Sequence, residues 1–317
     1  MTTGLRLLQS SLTQAGRRLE QWQREDAIRA AKLLDAAARS AEPGMRNAYL
    51  TSLRKLRQAI QEADLAALLE SGGSAEHIVD VLPWHEIVAG PLRAAWQTVL
   101  LDLVATAGAI AADALPSSVT ANLVQGGERA ADWARSHAGN MVTAITDGQR
   151  VSIRDTVARV FTGADADRLT PAQAAKVIRS TVGLTPKLNQ AVLNLRDELV
   201  DQGRTQPQVD SSVRKYGDKL RAYRAQAIAT TETLDAANVA QQAKWQDASA
   251  QGLILPSQVS RVWNVTEDDR LDLVVCAPMD GQRVGLHEFF TTGDGRQILT
   301  PTAHPFCRCF LTIELTG

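Results

Sequence analysis

Three cysteines and one histidine carry the most pointed chemistry in this 317-residue chain. Cys276 stands alone, upstream of the run His304-Pro305-Phe306-Cys307-Arg308-Cys309. A Cys-x-Cys pair on an extended segment points both thiols to one side, where they do not comfortably bridge each other. Three thiolates and one imidazole complete a tetrahedral zinc site by count. Two other outcomes stay open. Cys276 can pair with Cys307 or Cys309 outside a reducing cytosol, or all three thiols can serve as small buried hydrophobes. Cys307 or Cys309 as a nucleophile activated by His304 or His287 lacks a third group to orient the base, and Pro305 stiffens His304. The chain is therefore read as a non-enzyme, with a cysteine-dependent hydrolase or degenerate transferase as the alternative.

Two charged sets invite further readings. Glu267-Asp268-Asp269, with Asp272 and Asp280, fits neither an EF-hand nor a metalloprotease spacing. It reads as a solvated turn, and Asp280-Gly281 has the form of a hairpin turn. Arg214, Lys215, Lys219, Arg221 and Arg224 could meet DNA phosphates, but the same spacing suits a solvated helix face. No aromatic interleaving or recognition-helix motif accompanies them. Glu232, after Thr230-Thr231, is either an anchor for the tail or a solvated helical carboxylate.

The elements that must position these residues follow from composition and proline placement. Aromatics are 4% of the chain and apolar residues 44%, so the core is built mostly from Ala, Leu, Val and Ile, which suits helices. The proline-free intervals Met1–Glu42, Gly44–Leu82, Ser117–Thr170 and Gln208–Leu255 suit long helices. Leu53, Leu56, Ile60, Ala63 and Ala67 form one stripe. Thr170 and Thr185 each cap a helix that begins with proline, Gln173 closing a capping box on the first. Leu188, Val192, Leu195 and Leu199 then face inward. A long helix from about Gln208 carries Val213, Tyr216, Leu220, Tyr223, Ala227 and Leu234, with Gly217 a weak point.

From Pro256 the texture changes to short β-like runs, Val259–Val265 and Phe310–Leu315, and every cysteine lies there. The expected fold is mainly α: a long-helix body with a small C-terminal α+β or β-rich tail. Three regions are expected: a helical arm at 1–125, a second helical part at 126–255 and the cysteine-containing domain at 256–317. The softer of the two boundaries lies between Pro116 and Gly127. Lys plus Arg total 34 against 35 Asp plus Glu, a net charge of -1, which excludes a uniformly basic nucleic-acid coat. Val99–Ala112 holds Asp102 and falls short of a membrane span, and Met1–Ser11 does not read as a signal peptide. No membrane partner is expected.

The motifs occur in a telling order. Ala227-Ile228-Ala229-Thr230-Thr231-Glu232, with Asn238 close behind, is followed by Trp263, Asp269-Arg270, Cys276, Asp280-Gly281 and the terminal His304-Pro305-x-Cys307-Arg308-Cys309. This succession resembles the minor head protein family of tailed bacteriophages, of the Mu F-like or SPP1 head-morphogenesis type, over roughly the C-terminal half to three-fifths of the chain. Thr230 stands where many members have arginine, Met279 where they commonly have a second cysteine, and Leu271–Val275 are extra residues. Met279 leaves His304 to supply a fourth ligand beside Cys276, Cys307 and Cys309. The resemblance implies a structural virion component, low in copy number or oligomeric. Its place would be the host cytoplasm during assembly and then the capsid interior near the portal. Its partners would be portal and capsid or scaffold proteins, with local DNA contact, and its tasks assembly, packaging or genome delivery. Glu232, Asn238, Trp263, Asp269, Asp280, Gly281 and Arg308 would be structural motif residues.

Overall fold

The computed structural model describes residues 2–62, 65–71, 74–123, 127–162 and 170–315. Ala63 of the expected stripe, and Val124 to Gly126 within the softer boundary, lie outside them. The order is α1 (Thr2–Glu62), α2 (Leu65–Glu70), α3 (Ala75–Asp80), a π-helical turn (His85–Ala89), α4 (Gly90–Asp113) and α5 (Ser117–Thr120). There follow α6 (Glu128–Thr162), α7 (Pro171–Thr181), α8 (Pro186–Asp201) and α9 (Gln206–Ala250). The tail then holds β1 (Val259–Asn264), β2 (Arg283–Gly285), β3 (Phe290–Thr291), β4 (Gln297–Ile298) and β5 (Phe310–Leu315). The protein is mainly α with a small antiparallel tail: one sheet has the order β2-β1-β5, and β3 pairs with β4.

Local signals account for several starts. Thr170 accepts from the Gln173 backbone while the Gln173 side chain accepts from the Thr170 N–H, and Pro171 opens α7. Thr185 caps α8 through the Leu188 N–H in the same way. Pro43, by contrast, does not divide two helices, because α1 runs through it. An internal proline costs about 3 kcal/mol. Met45, Tyr49, Leu53 and Leu56 are buried on the next turns, each contributing about 1.5–3 kcal/mol, so packing wins over the local break.

By contacts the chain groups into two compact units, cut elsewhere than at 125 and 255: Met1–Glu42, Leu100–Ala134 and Thr230–Gly317 form one, Pro43–Val99 and Arg135–Ala229 the other. In the second unit, Leu184, Val192, Val209 and Val213 form a buried cluster flanked by Leu188, Leu199, Tyr216 and Leu220. Tyr223, expected on the apolar stripe of α9, is instead 58% exposed. Gly217 does not weaken α9; a Cβ there would stand 3.1 Å from the Arg221 guanidinium and 3.3 Å from the Ser180 carbonyl, so the missing side chain makes room for the arginine. In the first unit, Leu100, Leu103, Val104, Ala107 and Ala111 of α4 are buried. The span Ala75–Asp113 is nevertheless long and apolar enough to cross a membrane by length and composition, which the shorter stretch Val99–Ala112 is not.

The basic face of α9 splits in two. Arg214, Lys215 and Lys219 are exposed, whereas Arg221 is buried and Arg224 half-buried. Arg221 donates to the Ser180 carbonyl at 2.7 Å and the Val182 carbonyl at 3.2 Å, and Arg224 donates to the Gly183 carbonyl at 2.8 Å. The end of α7 leaves these carbonyls without helical partners, and cations there also complement the helix dipole. Those two arginines are therefore taken out of the expected DNA-contacting set. Burial pushes the Arg221 guanidinium down, against the upward pull of its hydrogen bond to Asp218.

Replacing Arg221 with Met strands the buried Ser180 and Val182 carbonyls, while Asp218 keeps Arg57, so Arg221→Met should lower stability by about 3 kcal/mol. Lys219→Ala on the exposed side should change it by no more than about 0.5 kcal/mol. Urea unfolding of both variants checks the contrast.

Candidate metal centre

The tail is short of regular structure, so its geometry rests on turns, a shared apolar core and polar cross-links. Its core joins Trp263, Cys276, Met279, Leu286, Phe290, Cys307, Cys309 and Leu311 to Trp245 and Ala248 of α9 and to Leu115 and Val119. All three cysteines belong to that core. Trp263 on β1 is fully buried and meets Phe290 edge-on at 5.3 Å.

Cys276 is placed by Asp272, a residue that the sequence reading assigned only to a solvated turn. The Asp272 carboxylate accepts from the Val274 and Val275 N–H groups at 2.9 and 2.7 Å, while its carbonyl accepts from the Cys276 N–H at 3.0 Å. The hydrogen bond from Val275 first, and that from Val274 second, hold this carboxyl below the usual range. The pattern is an Asx turn leading into the thiol.

His304 and Cys307 are brought together by a tight turn. The Cys307 N–H donates to the His304 carbonyl at 3.1 Å, Pro305 takes the second position and Phe306 the third, at φ 63°. Proline followed by a positive φ is the pattern of a type II turn, where glycine is the usual third residue. Phenylalanine there carries strain of about 1–3 kcal/mol. Two contacts offset it: the Phe306 N–H donates to Thr231 Oγ1 at 3.0 Å, and the Arg270 guanidinium lies 5.0 Å from the Phe306 ring centre. Thr231, adjacent to Glu232, thus ties the α9 motif to the terminal motif.

The ligand atoms of Cys276, His304 and Cys307 all lie within 4.8 Å of one another and could hold a metal ion. The Cys276 and Cys307 sulfurs are 3.7 Å apart, and all three cysteines are free thiols, so none forms a disulfide. Cys309 interacts with both other cysteines but is not within that mutual distance of all three donors. His304 Nδ1 lies 2.9 Å from the Pro305 carbonyl; only an N–H can be shared with a carbonyl, which leaves Nε2 as the available donor nitrogen. Hydrogen bonding to Cys276, then to Cys307, pushes His304 up to about 11 against the effect of burial. Contact with Cys276 first, then Cys309, pulls Cys307 well below its usual range, while Cys276 and then Cys307 push Cys309 far above it. These shifts favour a thiolate on Cys307 and a protonated imidazole on His304. His287 is exposed and outside it.

The other motif residues lie outside this cluster. Asn238 is buried and donates to the Leu234 carbonyl at 2.9 Å within α9. Asp280 accepts from the Val265 N–H at 3.1 Å, and Gly281 at φ 71° completes a type II turn closed by the Gln282 N–H and the Met279 carbonyl. It is a turn, as expected, but it leads into β2 rather than joining two strands as a hairpin. Thr266 Oγ1 donates to the Arg308 carbonyl at 2.7 Å. Asp269 is exposed in a turn, and Glu232 is half-buried on α9.

One further residue, absent from the motif reading, holds these loops. Arg261 on β1 is fully buried and donates to the carbonyls of Gly285, Glu288 and Leu299 and to the Gln242 side chain of α9. Its guanidinium also faces the Phe290 ring at 5.1 Å. Burial lowers its pKa to about 10, opposed by Glu288. Arg261→Met should destabilise the protein by about 3–5 kcal/mol by leaving several buried acceptors unpaired. Chemical denaturation monitored by circular dichroism measures the loss.

No protein-family model matches the chain, and neither the curated proteins nor the solved structures yielded a match.

Proposed function

We propose that this chain is a structural minor head protein of a tailed bacteriophage, whose tail is stapled by zinc. The observation that carries the reading is the terminal turn. His304 and Cys307 meet Cys276 at metal-ligand spacing, while the same turn is fastened to Thr231 beside Glu232. The motifs that carry the family resemblance are therefore the ones that support one another in space.

Zinc suits the donor set. Two sulfurs each about 2.3 Å from a tetrahedral zinc stand about 3.8 Å apart, and Cys276 and Cys307 are separated by 3.7 Å. Cys276, Cys307 and His304 through Nε2 would hold the ion, with Cys309 the candidate for the fourth position. Bound there, zinc would cross-link the loop after β1 to the segment before β5, a stabilising role in a domain with short strands. Burial of Cys307, 1% exposed, favours this over the alternative of a cysteine nucleophile, which needs access to substrate. The helical body would provide surfaces for portal, capsid or scaffold proteins inside the head, and the exposed Arg214, Lys215 and Lys219 remain available for DNA.

Protein purified without chelator should contain about one equivalent of zinc per chain, and Cys307→Ser should bring it to well under half an equivalent with a lowered melting temperature. Fully folded wild-type protein without metal, by elemental analysis, would reject the staple. Co-sedimentation with portal protein and with procapsids tests the assembly role; absence from both would sink it.

A further inference from the structure

A pocket of about 320 Å³ opens in the second unit, away from the cysteine cluster. That volume is at the small end of ligand sites, about 300–1,000 Å³. Its walls carry Arg57 from α1, Lys176 and Arg179 from α7, Arg196 from α8 and Arg214 from α9. Five cations thus converge from four helices on one concavity, with Asp210 the one carboxylate among the described lining residues. Both oxygens of that carboxylate are engaged: Oδ1 accepts from Gln206 at 2.7 Å and Oδ2 from Lys176 at 3.0 Å.

Two of these arginines also pair with carboxylates outside the lining. Asp218 is shared by Arg57 and Arg221, and Asp197 is shared by Arg159 and Arg196. Arg196 is only 7% exposed, so this charge is held in a low-dielectric wall where its interaction with an anion is strengthened. Burial, and then the nearby charge of Arg57, depress the Arg179 guanidinium, the signature of like charges kept close together.

We infer that this pocket binds a compact oligophosphate, with Arg57, Lys176, Arg179, Arg196 and Arg214 as the phosphate-contacting groups. Guanidiniums match phosphate oxygens through paired N–H donors, and cations on several sides suit two or more linked phosphates better than one. The apolar part of the lining consists of Val177, Val209, Val213 and Pro207. No aromatic side chain is among the lining residues, so no base has a ring to stack on. A concave site also differs from the extended line of cations that tracks a nucleic-acid backbone. The ligand class is accordingly the phosphate chain itself, free or as part of a nucleoside triphosphate.

Isothermal titration calorimetry of the full chain with inorganic triphosphate, orthophosphate, ATP and a short single-stranded oligodeoxynucleotide tests this. Triphosphate should bind more tightly than orthophosphate. Equal affinity for ATP identifies a free oligophosphate, tighter ATP binding a nucleoside-borne one, and both uphold the pocket. The rim double variant Lys176→Gln/Arg214→Gln, whose side chains are exposed, should weaken triphosphate binding about ten- to hundredfold, as expected for lost charge-assisted hydrogen bonds. Arg196→Gln should do so at least as strongly, and Lys219→Gln, outside the lining, should leave it unchanged. No triphosphate binding at low salt, binding indifferent to the rim variant, or binding of the oligodeoxynucleotide alone would each overturn the inference.

Discussion

The tail depends on one buried charge. Arg261 sits in the middle strand of a three-stranded sheet and is 0% exposed, so its guanidinium is out of reach of bulk solvent. Desolvating such a group costs several kcal/mol unless its donors are matched. Here they are matched by carbonyls from Gly285, Glu288 and Leu299 and by Gln242 of α9. The cost of burying the charge becomes a constraint, since each loop must present its carbonyl at the right place. Strands of two or three residues could not impose such order through their own ladders.

The same logic, on a smaller scale, positions the cysteine cluster. Asp272 orders the approach to Cys276 through its own backbone contacts, and Thr231 stabilises a turn that places phenylalanine at positive φ. Each is a polar side chain satisfying backbone groups that regular structure leaves unpaired. The apolar residues around them, from Trp245 to Leu311, exclude water and so raise the value of every such bond.

What could be read from the sequence was local or compositional. Thr170-Pro171-x-Gln173 states its own cap because donor and acceptor are three residues apart. The mainly α body and the β-containing tail follow from proline placement and residue type, and the Cys276–His304–Cys307 grouping from the rarity of those residues. The misreadings concern partners distant in sequence. Arg221 and Arg224 have the spacing of a solvated helix face, and only the unfilled carbonyls at the end of α7 turn them inward. Gly217 looks like a helix breaker until the arginine lying over it is known. Pro43 breaks a helix on local grounds, and the burial that overrides it belongs to tertiary packing. Arg261 was legible only as one more charge in a β-like run, because its acceptors are main-chain atoms that no residue type announces.

Core thiols, a disulfide and metal ligands are the three readings of these cysteines, and the structure shows buried free thiols, two of which lie with His304 where a metal could be held. A thiol in an apolar core resists ionisation, yet Cys307 is held toward the thiolate by its neighbours, with a positive His304 beside it. A buried thiolate requires a countercharge. An imidazolium supplies one, and so does a metal ion, but not both at once, because a ligating imidazole must be neutral. With Nδ1 committed to the Pro305 carbonyl, Nε2 is where proton and metal would compete. The apolar surroundings favour whichever cation leaves the cluster with the least uncompensated charge. A divalent ion bound by two thiolates would leave the cluster neutral, as a proton on His304 does for one thiolate, so each thiolate beyond the first favours the metal.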